Sequence, residues 1–123
     1  MAYDEDLADR VRAVLADIDT VSELKMFGGW CATIAGNMAV GVLGDDLIVR
    51  VGPKAYDDAL SEPGVREFDF SGRPMAGWVF VDGAAVRDAD ALDPWVDRGG
   101  RFASSLPAKP PGARRRSRGP APG

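Results

Sequence analysis

The chain has 123 residues, no histidine and one cysteine, Cys31. Without an imidazole it can build no histidine-dependent triad, no histidine metal site and no imidazole pH switch. A single thiol closes no intramolecular disulfide and holds no zinc cluster. Long hydrophobic runs are missing as well. The longest apolar stretch, residues 30–43, is broken by Gly36, Asn37 and Gly41, and is too short and too polar for a membrane span. The opening MAYDEDLADR is acidic where a secretory leader is basic, and no apolar leader segment follows it. A reduced, cytoplasmic compartment is the expectation. Neither GxGxxG nor GxxxxGK followed by Ser or Thr occurs, so no phosphate-cradling loop is expected.

What is present is charge, unevenly divided. The formal net charge is −4. Residues 1–106 carry ten Lys/Arg against 19 Asp/Glu, a charge of −9. Residues 107–123 carry five Lys/Arg and no acid, a charge of +5. The first segment is long enough for one modest core. The second, rich in Pro, Gly and Arg, can bury nothing and is read as a disordered basic tail.

The hydrophobic period divides the body into elements. Leu7, Val11, Val14, Leu15 and Ile18 form one helical stripe, opened by Asp4, Glu5 and Asp6 and predicted to end near 17–19. From residue 24 the period falls to two. A short strand over 24–27 is followed by Gly28-Gly29, read as a break or bulge. Trp30, Ala32 and Ile34 lead to a tight turn at Gly36-Asn37. Met38, Val40 and Val42 are predicted on one face, and Gly44-Asp45-Asp46 turns into a strand of Leu47, Val49 and Val51. A short helix over 53–60, a strand through Phe68 and Phe70, a strand over 77–81 and a helix over 90–106 complete the pattern. Pro94 is placed in that helix's first turn, with Asp90 or Asp93 as its cap. The order is α-β(3-4)-α-β2-α. It predicts an α+β domain, an antiparallel sheet with helices packed on it.

No group of residues makes a convincing reactive centre. Asp45-Asp46, Asp57-Asp58 and the set Asp88, Asp90 and Asp93 all fall where turns and helix starts use carboxylates. Cys31 lies mid-strand and reads as a small buried hydrophobe. The aromatic residues read as core, because a base-stacking sheet needs interleaved cations and only Arg50 is so placed. Arg50, Tyr56 and Arg73 are the polar groups that a pocket between sheet and helices would use. Arg114, Arg115, Arg116 and Arg118 could give weak, salt-dependent nucleic-acid contact. No catalytic residue, metal ligand or cofactor site is assigned.

Several separated motifs then acquire a common meaning. Lys25-Met26-Phe27-Gly28-Gly29, Gly36-Asn37-Met38, Asp46-Leu47 with Arg50-Val51-Gly52, and Gly72-Arg73-Pro74-Met75 with Gly77-Trp78 resemble the N-terminal domain of the TfoX/Sxy family. The acidic opening helix and the closing Trp95-Val96 and Phe102-Ala103-Ser104-Ser105-Leu106-Pro107 resemble its short standalone bacterial members. The resemblance implies a secretion-chaperone-like fold, with no enzyme activity and no cofactor. The family's founding members regulate natural competence, assisting a cyclic-AMP receptor protein at a subset of promoters. They carry a second, helical domain, and the expectation here is a basic tail in its place. The expectation is an accessory transcriptional regulator that docks to a protein partner, such as a transcription factor, with homodimers allowed. The rival expectations are a small-ligand protein or minor enzyme with a sheet-helix pocket, and a weak nucleic-acid binder acting through the tail.

Overall fold

The computed structural model describes residues 3–26, 28–69 and 75–108. Asp4 begins the first helix, its Oδ1 accepting from the backbone N–H of Asp6 at 3.0 Å and of Leu7 at 3.1 Å. This satisfies amides that have no partner within the helix. Helix α1, Glu5–Val14, buries Leu7, Ala8 and Val11. It stops short of the predicted end. Asp17, Asp19 and Thr20 favour turns over helix, and Ile18 leaves the stripe to stand 37% exposed.

Six strands follow: β1 Val21–Met26, β2 Gly29–Ile34, β3 Asn37–Leu43, β4 Asp46–Arg50, β5 Val65–Glu67 and β6 Trp78–Val81. Helix α2, Tyr56–Leu60, lies between β4 and β5, and helix α3, Ala89–Ser104, closes the domain. A 3-10 turn, Gly83–Val86, joins β6 to α3. The sheet runs β1-β2-β3-β4-β6-β5, antiparallel throughout. The domain is α+β in the predicted order, with four strands before α2.

Local details depart from the period-two reading. The β2–β3 turn is Ala35-Gly36, one residue earlier than predicted, since Ile34 already pairs with Asn37. Ala35 has φ 51° and Gly36 φ 85°, both positive as a two-residue primed turn requires. Asn37 moves into β3, and its side-chain amide donates to the Pro107 carbonyl at 2.9 Å. Gly28-Gly29 is the expected break, where β1 gives way to β2, and the bulge lies between β2 and β3. Ala32 pairs with Val40 but Thr33 with Met38, so Ala39 is the extra residue and Met38 faces away from Val40. Helix α2 is shorter than the predicted 53–60. Strand β5 ends before Phe68, and Phe70 lies outside the described residues. Helix α3 starts at Ala89, so Pro94 sits in its second turn, and Asp88 rather than Asp90 or Asp93 takes the N-cap position, without a side-chain capping bond.

One face of the sheet carries the main core. Trp30, Ala32, Ile34, Val40, Val42, Leu47, Val49, Val79 and Val81 meet Leu7, Val11 and Leu15 from the first helix and its end, and Leu92, Trp95, Val96 and Ala103 from α3. A smaller cluster on the other side joins Ile48, Phe68 and Phe80, with Met38, Leu43 and Trp78 against it. Cys31 is buried, as expected for a small strand hydrophobe. No helix among the described residues is long and apolar enough to cross a membrane.

Gly99 explains a residue that intrinsic propensity disfavours. A Cβ there would lie 2.8 Å from Val40 Cγ1 and closer still to the Ala39 carbonyl oxygen. Helix α3 therefore lies directly on the backbone of β3. At Gly100 a Cβ would meet only Ile34 Cδ1 at 3.5 Å and Leu15 Cδ2 at 3.9 Å, ordinary contacts. Exposed helical Gly→Ala changes gain about 1 kcal/mol. Gly99→Ala should instead destabilise by about 1–3 kcal/mol through overpacking, while Gly100→Ala should be neutral or stabilising. Urea unfolding of both variants checks the pair, and equal effects would contradict the close approach.

Candidate interaction surfaces

Two places on the described surface combine charge with exposed apolar groups. The first is at the end of β4. The Arg50 guanidinium carbon lies 5.0 Å from the Trp78 ring centroid and 5.3 Å from that of Phe102. Trp78 pairs with Arg50 across β4 and β6, and Phe102 comes from the last turn of α3. Arg50 thus spans the sheet and the helix layer. Among the described residues no carboxylate pairs with it, and burial alone pulls its pKa below the usual arginine value. The other half-buried or buttressed arginines have oxygen partners. Arg98 pairs with Glu62 at 2.8 Å, Arg66 with Asp46 at 2.7 Å and Asp82 at 2.9 Å, and Arg10 donates to the Val86 and Arg87 carbonyls at 2.7 Å. Met75, 41% exposed, lies close to Trp78 in the chain and accepts its backbone N–H at 3.1 Å.

Tyr56 stands apart from Arg50. It packs against the main core from α2, and its hydroxyl is enclosed without a hydrogen-bond partner among the described residues. Burial, then Glu67 and Asp57, raise its pKa above the usual phenol value. No hydrogen bond, ion pair or ring contact joins Tyr56 to Arg50 among the described residues. Arg73, Arg114, Arg115, Arg116 and Arg118 lie outside the described residues. Among the described residues, no group of three or more Cys, Asp or Glu side chains is placed to hold a metal ion.

The second place was not singled out by the sequence. The Arg12 Nε donates to both Glu23 oxygens, at 3.0 and 2.9 Å, and Arg12 also pairs with Asp9. The Trp30 indole N–H donates to Glu23 Oε1 at 3.0 Å, and the Arg12 guanidinium lies 5.0 Å from the Trp30 ring centroid. Beside this cluster runs an open groove of about 210 Å³, lined by Leu15, Ile18, Val21 and Ala32 as well as Arg12 and Trp30. The signal was present in the sequence only as a buried Trp30 that needs an acceptor for its N–H.

The model of the TfoX N-terminal domain family matches residues 13–103. The chain belongs to that family. No curated protein and no solved structure matches it. The TfoX N-terminal domain match begins within α1 and runs almost to the end of α3, so it includes Arg50, Tyr56, Trp78 and Glu23.

The Glu23 cluster has a defined pH dependence. Donation by the Trp30 N–H, then by Arg12, holds the Glu23 carboxyl below its ordinary value of 4.5, against the opposing effect of burial. A depressed carboxylate stabilises the fold above its unfolded pKa, and that contribution is lost as pH falls through the lower folded pKa. Side chains about 40% exposed keep the effect small. Glu23→Gln should therefore lower the Tm modestly and by a constant amount from pH 8 to about 5. The difference should shrink below that range. Melting curves across pH check this, and a gap that widened in acid would contradict it.

Proposed function

We propose that this chain is a non-catalytic protein-interaction module, an accessory transcriptional regulator of the competence-regulator kind. Arg50 carries the reading. It is a half-buried cation held between Trp78 and Phe102, with no carboxylate among the described residues. Arginine and tryptophan are enriched among the residues that dominate binding at protein interfaces. A stacked guanidinium has its rotamer entropy already reduced, so a partner carboxylate meets a pre-organised fork. The expected partner is a protein that presents an Asp or Glu beside an apolar side chain, the carboxylate for Arg50 and the apolar group for Trp78 and Met75. Within a body of charge −9, this cation, unpaired among the described residues, would also orient an acidic partner against an otherwise repelling surface. Family membership supports the regulatory side of the proposal.

A photo-crosslinking amino acid at Met75, in the full chain in its native cell, tests the reading. It should give a discrete protein adduct that Arg50→Glu abolishes and that the same probe at Asp58 on α2 does not give. A promoter-bound protein in that adduct would support the regulatory role. No adduct, or one indifferent to Arg50→Glu, would count against the docking site. Saturable binding of a small anionic metabolite at Arg50 instead would favour the ligand-binding alternative.

A further inference from the structure

The two edges of the sheet are unequal. Strand β5 is three residues long, and its central residue, Arg66, is already held by Asp46 and Asp82. Strand β1 is six residues long, and no described strand pairs with its outer side. Long unpaired edges are templates for another strand. The Ala35 N–H donates to the Thr20 carbonyl at 3.0 Å, which fixes the alternation. Thr20, Ser22 and Leu24 turn their backbone groups inward to β2. Val21, Glu23 and Lys25 turn theirs outward.

We infer that β1 is a homodimer seam, pairing antiparallel with β1 of a second copy about a two-fold axis at Leu24. Only registers that oppose outward residues can form the ladder. Shifting the axis to residue 23 sets Glu23 against itself, and shifting it to residue 25 sets Lys25 against itself. Like charges directly opposite are destabilising. The axis at Leu24 sets Glu23 against Lys25 of the second copy, and Lys25 against its Glu23, each pair exchanging both backbone hydrogen bonds. Leu24 then faces its own copy on the other side of the sheet, and its side chain is only half-buried in one chain.

The side-chain charges fit this register. Asp9, Arg12 and Glu23 form a connected cluster of net charge −1. Lys25 is exposed and has no ion pair among the described residues. Its arrival from the second copy brings that cluster to neutrality, and the two-fold axis does so on both sides. The seam is separate from the Arg50 surface, so it stands whether or not the docking proposal does.

Sedimentation and light scattering of the full chain over a concentration series should show a reversible dimer that weakens with salt. Lys25→Glu places acid against acid at both pairs and should weaken the dimer at least tenfold while leaving the circular dichroism unchanged. Non-hydrogen-bonded antiparallel pairs bring Cα atoms to about 4.5 Å, within disulfide reach. Leu24→Cys, made with Cys31→Ala because Cys31 pairs with Leu24 inside the chain, should therefore give a disulfide-linked dimer on mild oxidation. A chain that stays monomeric at hundreds of micromolar would overturn the inference. So would a dimer indifferent to Lys25→Glu, or one that Leu24→Cys fails to crosslink.

Discussion

The rest of the domain depends on how closely α3 lies on β3. Gly99 lets the helix backbone reach the Ala39 carbonyl and the Val40 side chain. Ala39 is itself the bulged residue of β3, so the smallest side chains meet where helix and sheet are nearest. With α3 seated over β3 and β4 and α2 against β5 and β6, the remaining helix-side area falls to α1. That helix is short. Its apolar residues reach the core, but its end leaves a groove over β1 and β2. Arg12, Glu23 and Trp30 bridge that gap by polar contacts where the apolar stripe has run out.

The architecture was legible in the sequence because period 3.6 and period 2 alternate cleanly along the chain. The exceptions share a cause, since each was decided by tertiary geometry. Ala35 accepts a positive φ because the β2–β3 register fixes the turn there, whereas turn chemistry pointed to Gly36-Asn37. Met38 changes face because Ala39 is accommodated as a bulge under α3. Gly99 is a weak helix position by intrinsic propensity, and only the strand beneath it accounts for the glycine. Ile18 fitted the helical stripe by spacing, but the helix ended before it.

The candidate sites were legible in the same uneven way. Arg50 stood out early as a cation on an aromatic strand face, and the structure adds that Phe102 from α3 flanks it. Tyr56 is half-buried against the core with an enclosed hydroxyl, and no hydrogen bond, ion pair or ring contact among the described residues joins it to Arg50. The Glu23 cluster could not be read in advance. It joins residues from α1, β1 and β2 that share no local period. An unnoticed carboxylate among 19 was the obstacle, since each acid has an ordinary explanation until its partner is known.

Partnered charges also show why the two edges differ. At β5, Arg66 spends its donors on Asp46 and Asp82, and Asp46 in turn accepts from the Gly83 N–H at 3.2 Å. That network belongs to the fold and leaves little for another chain. At β1 the sequence Glu-Leu-Lys carries opposite charges at outward backbone positions on either side of one apolar residue. Charged residues usually blunt an edge against pairing. Here their order is self-complementary under a two-fold rotation about Leu24, so in the proposed seam the same charges favour that register over axes at Glu23 or Lys25. Lys25, without an ion pair among the described residues, is the residue on which that distinction turns.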